Sequence, residues 1–324
     1  MRLYKYIIRR LLYLIPLFIG ISIIIFVLTR LAGDPVALMT AFNPRISQAQ
    51  RDMLRQFFGL AGNPVDQYVH WIIQFLQGNF GYSIYSSTNV NTIIGWYAWN
   101  TLELQILALL ISLAISIPVG IMSARKQYSK TDMSVTTISL LGISFPVFFL
   151  GILGILVFSF YLGWLPYGGY VSSGAMGYFF NSYFLDHLVH LIMPLAILSV
   201  ADVATVVLLV RSSMLEVLRQ DYILAAMASG LSERSVVYKH ALRNVLIPVV
   251  TYVGLYIGGM LAGAPITETV FNWPGLGRLY VQAVNILDFP IIQAVTMLIT
   301  LMTLAANLLT DILYAYIDPR IRLD

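Results

Sequence analysis

Cysteine is absent from the 324 residues of this chain, and charge is scarce, with lysine, arginine, aspartate and glutamate together making up 10%. Without a thiol there is no disulfide, no thiolate nucleophile, no cysteine-held zinc and no iron–sulfur cluster, while redox compartment is left open. A soluble domain carries roughly 25% charged residues, so the deficit points to lipid as the solvent for much of the surface. Lysine is rarer still: Lys5, Lys126, Lys130 and Lys239 follow Tyr, Arg, Ser and Tyr. A phosphate-cradling P-loop needs a Gly-Lys step, so that backbone N–H groups and an ammonium surround the phosphates. None is present, and an ATP-driven process would need its nucleotide on another subunit. Among His70, His187, His190 and His240, only His187/His190 has metal-ligand spacing, beside Asp186. Interfacial histidines usually hydrogen-bond, and no metal is expected. No Ser/His/Asp set or paired buried carboxylates point to catalysis, so the chain is read as a non-enzyme.

What is present is apolar: 59% hydrophobic residues, 13% aromatic residues and a mean hydropathy of +0.80. A bilayer core of ~30 Å needs about 20 apolar residues in a helix. Runs of that kind occupy residues 11–29, 104–124, 133–162, 188–210, 244–265 and 290–309. The third ends near Gly163-Trp164-Leu165-Pro166, an interfacial exit followed by a loop. Six spans are expected; the apolar stretch 168–184 leaves five or seven open. The first run, 19 uncharged residues without a small-x-small cleavage site, reads as a retained helix and not a signal peptide.

The net charge of +4 reports topology once the basic residues are placed. Fourteen of nineteen fall before the first run, between the second and third, between the fourth and fifth, or after the sixth. Arg30, Arg45, Arg51, Arg55 and Arg278 fall on the other side. The positive-inside rule then expects a multi-pass protein of the cell (plasma or inner) membrane with both termini cytoplasmic. Nucleic acid is not an expected partner; membrane lipid is.

The expected divisions are 1–31 (N-terminus and first span), 32–100 (extracytoplasmic) and 101–324 (five further spans). The extracytoplasmic part contains a Gly33-Asp34-Pro35 turn, two short helices over 47–58 and 64–77, and a Gly-rich passage, 78–83. Several polar or small residues inside the spans allow two readings. Asp202 lies nine residues before Arg211, deep in the membrane, and either lines a pathway or makes a structural hydrogen bond. Asn307 and Asp311 share a helix face and are read as tying helices together. Gly254, Gly258, Gly259 and Gly263 permit close helix packing or keep a translocation wall smooth. The stretch 268–278 reads as an exposed turn with Trp273 at its tip.

The most informative segment is 211–243, between the fourth and fifth spans. It reads as a helix with small residues Ala225, Ala226, Ala228 and Ser229, a Gly230 stop, and a second helix capped by Ser232. Such a hairpin suits docking into another protein's groove, or is simply a solvated interfacial turn. Its pattern resembles the "EAA" loop of binding-protein-dependent ABC permeases, which runs Glu-Ala-Ala, three residues, Gly, then a run ending Ile-x-Leu-Pro. Ala225, Ala226 and Gly230 match at the right spacing; Leu224 replaces the Glu, and Arg243 stands at the terminal Pro. Both departures resemble the B-type subunit of oligopeptide/dipeptide permeases, and they remove any Glu at 224 from an account of coupling. Similar landmarks follow in order: Ile8-Arg9-Arg10-Leu11-Leu12, Gly33-Asp34-Pro35, Gly78-Asn79-Phe80-Gly81, Asp221-Tyr222, the run from Glu268 through Asn272, Trp273 and Gly275 to Arg278, and Asp318-Pro319-Arg320-Ile321.

The resemblance implies an all-α membrane protein of six transmembrane helices with the type I ABC importer permease fold. It implies a coupling loop comprising Glu216, Asp221, Tyr222, Ala225, Ala226, Gly230, Leu231, Ser232, Glu233, His240 and Arg243. It places candidate pathway residues at Asp202, Gly258 and Gly259. Candidate binding-protein contacts or outer-gate residues are Glu268, Asn272, Trp273 and Arg278. Implied partners are a second homologous permease subunit (an identical copy is the alternative), two ATPase subunits and an extracytoplasmic solute-binding protein. No cofactor is implied on this chain; ATP and Mg belong to the ATPase subunits. The implied cargo is peptide, with oligosaccharides or a nickel chelate as alternatives. A secondary transporter would need inverted repeats and several intramembrane acids, and the sequence offers no such repeat and only Asp202 at depth.

Overall fold

The computed structural model describes residues 3–40, 46–60, 62–172 and 182–317. Arg2, Arg322 and the ending 318–321 lie outside the described residues. Among the described residues, five helices are long and apolar enough to cross a bilayer: α1 (Leu3–Leu31), α5 (Val90–Arg125), α8 (Tyr183–Val217), the helical run Glu233–Ala262 and α14 (Phe289–Ile317). A bent helix pair brings the number to six when it is taken as one span. Helix α6 (Lys130–Ser144) meets a second helical piece, Val147–Tyr161, at a bend of 96°. The expected single span over 133–162 is therefore corrected to a bent pair. The cause is Pro146, which lacks an N–H and forces Phe145 out of the helical region (φ −81°, ψ 131°). The second piece comprises α7 (Val147–Gly154) and a π-helical turn, Ile155–Tyr161. The Gly/Trp/Pro cluster that follows is irregular chain, as expected.

Between α1 and α5 lie α2 (Pro35–Thr40), α3 (Gln48–Phe57) and α4 (Pro64–Leu76). Ser47 caps α3 in a reciprocal capping box with Gln50, and Asn63 with Pro64 opens α4. The next long helix starts at Val90, within the expected segment 32–100. Asn89 caps it, so several turns precede the apolar run from residue 104. The segment is pinned by Arg55 to Asp34 at 2.7 Å, and by the Asp288 carboxylate, which accepts from Ser83 Oγ and from the N–H groups of Ile84 and Tyr85. Burial pulls the Asp34 carboxyl upward, but Arg55 and the N–H groups of Ala37 and Val36 outweigh it, so it stays below the ordinary carboxylate value.

Helix α8 packs along α5 and touches α6 and α11 (Leu242–Gly259), while α14 packs along α11 and α1. Two large apolar cores result, beside a smaller cluster of Leu104, Leu191 and Trp273. One sits at the end where Arg125, Lys126 and Arg211 gather, hereafter the basic side; it contains Ile121, Val210, Met214, Ile223, Val237 and Val245. The other sits toward the opposite side and contains Phe75, Val90, Leu276, Ile291 and Met297. Two glycines of the α11 stripe are packing residues. A Cβ at Gly254 would lie 2.0 Å from Thr310 Oγ1, and one at Gly258 would lie 3.3 Å from Ala306 Cβ. Gly259 differs, since a Cβ there would meet nothing within 4 Å. Asn307 is exposed rather than tying helices, and the side chain of Asp311 lies outside the described residues.

Candidate functional site

On the basic side the chain turns out of α8 into α9 (Asp221–Ala228). Its end is a Schellman motif: Leu231 N donates to Ala226 O at 3.4 Å and Gly230 N to Met227 O at 3.0 Å. Gly230 sits at φ +79°, the left-handed region that costs other residues ~1–2 kcal/mol. Ser232 then caps the short α10 (Glu233–Ser235), and a π-helical turn, Val236–Ala241, runs into α11. Helix, glycine stop, new cap and second helix thus occur where the sequence places them.

Within α9 only Ile223 is fully buried, in the basic-side core. Tyr222, Leu224, Ala225, Met227 and Ala228 are exposed, as are Leu231, Ser232 and Glu233 beyond the turn; Ala226 is half-buried. Asp221, Glu216 and Arg243 are also exposed, and His240 is half-buried on the π turn. Asn244 donates to the Tyr222 hydroxyl at 2.6 Å, fastening α9 to α11. This is a short, apolar, shallowly rooted surface with a rigid glycine corner. Such a surface is suited to burial against another protein.

Two ion pairs bind this loop to its neighbours. The sequence reading missed both, because it used the basic residues only to set topology. Arg211 grips Asp132 with two nitrogens, Nε–Oδ1 2.6 Å and Nη2–Oδ2 2.8 Å. Ser123 Oγ and Tyr128 N also donate to Asp132, so both carboxylate oxygens are saturated. The signal available was Ser129 three residues before Asp132, a capping pattern that places the acid in the first turn of α6. The second pair is Arg125 with Glu233 at 2.8 Å, joining the end of α5 to α10. It is exposed and correspondingly weaker.

Toward the opposite side, 268–278 is not an exposed loop. It folds as α12 (Pro265–Val270), a turn, and α13 (Leu276–Ile286). The expected aromatic tip is corrected: Trp273 is fully buried, its Nε1 donates to Asn100 O at 3.0 Å, and Asn100 Nδ2 donates back to Pro274 O. Glu268 is fully buried too, accepting from Thr101 Oγ1 at 3.0 Å and Arg278 N at 2.8 Å. Gly263, Gly275 and Gly277 make room for its carboxylate, since a Cβ at Gly275 would lie 2.4 Å from Glu268 Cδ. Glu268 and Trp273 are therefore unable to touch a docked protein from where they sit. Asn272 is exposed at φ +51°, and Arg278 donates to its carbonyl at 2.9 Å. Beside this hub, His187 Nε2 meets Glu103 Oε1 at 2.8 Å, and Asp186 accepts from Ser172 N and Oγ. The histidine pair is thus engaged in hydrogen bonds. Glu103 was missed because it stands one residue outside the apolar run counted as the second span.

Asp202 lies near the middle of α8. Its Oδ1 accepts from the Tyr252 hydroxyl at 2.8 Å, whereas Oδ2 is shielded and has no hydrogen-bond partner. The Tyr256 hydroxyl interacts with the same carboxylate but donates to Gln105 Oε1 at 2.6 Å.

A multi-pass helical bundle with an exposed helical hairpin on its basic side has the form of a transport subunit. The chain belongs to the binding-protein-dependent transport system inner membrane component family, which matches residues 116–323. It is 42% identical to the oligopeptide transport system permease protein AppB of Bacillus subtilis (strain 168), over 98% of each chain. It is 37% identical to the di/tripeptide transport system permease protein DppB of Pseudomonas aeruginosa, over 98% of each chain, and equally to the dipeptide transport system permease protein DppB of Escherichia coli K12, again over 98% of each. The family resemblance drawn from the 211–243 loop is thereby borne out, with its all-α membrane fold.

Proposed function

We propose that this chain is the membrane-spanning permease subunit of an ATP-driven importer of peptides delivered by an extracytoplasmic solute-binding protein. The observation that carries this reading is similarity over nearly the whole length to permeases named for oligopeptides, di/tripeptides and dipeptides. It favours peptides over oligosaccharides or a nickel chelate. The basic side faces the cytoplasm, as the positive-inside rule requires. ATP and Mg are held by two ATPase subunits, and a second, homologous permease completes the pathway.

Helix α9 and the Gly230 corner are the coupling element. The exposed surface of Tyr222, Leu224, Ala225, Met227 and Leu231 enters a cleft on an ATPase subunit. Movement of that subunit reaches α5, α6 and α8 through Arg125–Glu233 and Asp132–Arg211, and reaches α11 through the π turn and Asn244. Trp273, Glu268 and the glycines around them brace the outer end as part of the gate, leaving Asn272 as the surface residue for a docked binding protein.

The test is gentle purification of a tagged chain from native membranes, followed by mass spectrometry of what accompanies it. Two ATPases, a second permease and a binding protein are expected, and the reconstituted assembly should take up peptides with ATP. Recovery of the chain alone across several mild detergents would overturn the reading.

A further inference from the structure

The intramembrane acid at position 202 differs from the other aspartates that tie elements of this chain together. Asp132 has four donors on its two oxygens, and Asp288 has three. Asp202 accepts from Tyr252 on Oδ1 and has the Tyr256 hydroxyl beside its carboxylate, while the shielded Oδ2 has no hydrogen-bond partner. A carboxylate oxygen withdrawn from water without a partner costs several kcal/mol unless a cation or proton meets it. Lipid supplies no such cation.

Where this oxygen sits matters as much. Tyr252 and Tyr256 are one turn apart on α11, Gln105 is on α5 and Asp202 on α8, so three helices contribute to one polar cluster. Asp202, Tyr252 and Tyr256 are each half-buried, so the cluster reaches the surface of the chain. Gly259, at the next turn, is exposed with no atom within 4 Å of a built Cβ, unlike Gly254 and Gly258, which pack on α14. The protons of both hydroxyls are committed, Tyr252 to Asp202 and Tyr256 to Gln105. What the hydroxyls present outward is therefore lone pairs. One carboxylate and two hydroxyl acceptors match a group that has a positive charge and three donors.

We propose that Asp202, Tyr252 and Tyr256, with Gln105 fixing Tyr256, form a mid-membrane site for an alkylammonium group: the N-terminal ammonium of a peptide in transit. The assignment of a peptide rests on the importer reading above; the cation preference does not. Gly259 and the cluster then share one wall of the pathway, with the glycine keeping it open next to the site.

The absence of native cysteine makes the test direct. Gly259→Cys places a single thiol in this chain where a Cβ meets nothing. The assembly is reconstituted in liposomes and exposed to thiol-specific methanethiosulfonates bearing either a trimethylammonium or a sulfonate, and labelling of this chain is read by mass spectrometry. Gly259 is about 10 Å along the helix from Tyr252, and one negative charge at that range and an effective dielectric of ~20 speeds a cationic reagent and slows an anionic one by roughly tenfold each. Relative to their rates with a free thiol, the cationic reagent should therefore react about a hundredfold faster than the anionic one, and Asp202→Asn should bring the two relative rates together. Trialanine with a free N-terminus should slow labelling, whereas N-acetyl-trialanine should not. A charge ratio unchanged by Asp202→Asn, or no labelling in any state of the assembly, overturns the site. Charge selectivity with equal protection by both peptides overturns the ammonium assignment. Charge-selective labelling in an assembly that takes up no peptide would instead sink the peptide reading and leave the cation site standing.

Discussion

Removing one partner of the Asp132–Arg211 pair is the sharpest perturbation available on the basic side. Asp132 is 3% exposed and Arg211 20%, so solvent screens the pair little. Breaking a buried pair by deleting one side costs ~3–5 kcal/mol, mostly because the other charge is left without compensation. Arg211→Met strips Asp132 of two charge-assisted hydrogen bonds but leaves those from Ser123 and Tyr128. Asp132→Asn turns an NH2 toward a guanidinium and leaves the arginine buried without an anion. At roughly 2–4 °C per kcal/mol, each single change should lower the thermal midpoint of the purified assembly by about 6–20 °C. The double change removes both charges, so it should cost at least ~2 kcal/mol less than the sum of the singles. A charge-swapped pair should not recover, because Ser123 Oγ–H and the Tyr128 N–H would then face an arginine. Tryptophan fluorescence on heating gives the midpoints, and peptide uptake per ATP hydrolysed gives the coupling. Singles that add within ~0.5 kcal/mol would refute the argument that the two residues act as one unit.

Three further outcomes are expected. Gly230→Val forces a branched residue to φ +79° and should abolish uptake and stimulated ATP hydrolysis while the assembly still purifies; Gly230→Asn, which tolerates that region, should keep most of both. Gly275→Ala drives a methyl into the Glu268 carboxylate and should destabilise the protein by a few kcal/mol, seen as a lower thermal midpoint, whereas Gly259→Ala should leave it unchanged. The depressed carboxyl of Asp34 contributes stability in full above the ordinary carboxylate range, and that contribution fades as pH falls through the lower folded value. Asp34→Asn should therefore flatten the acid limb of a stability–pH profile; an unaltered limb would remove Asp34 from the account.

Legibility followed the range of the interaction. Ser47 with Gln50, Ser232, and Gly230 with the helix it ends are settled within a few residues, and the sequence states them. So are the long apolar runs, since a helix needs only its own backbone to satisfy its polar groups in lipid. The bend at Phe145 was carried by Pro146 all along, but hydropathy averages over it. Pairings across large separations were another matter. Nothing near Asp132 names Arg211 as its partner, and nothing near Trp273 says that Asn100 takes its indole proton. The stretch 268–278 misled because its turn residues are the same whether they shape an exposed loop or open space around a buried carboxylate.

The shallow rooting of α9 in the core, through Ile223 and the half-buried Ala226, has a bearing on how such subunits diverge. With Ile223 in the interior, Ala226 packed beside that core and Tyr222 held by Asn244, the outward positions Leu224, Ala225 and Met227 are exposed. Under the coupling role proposed above, selection can rewrite Leu224, Ala225 and Met227 to suit a different ATPase without re-solving the bundle beneath. Recognition and folding are in that sense separately heritable in this chain, and exchanging one short helix between relatives is enough to ask which partner each will accept.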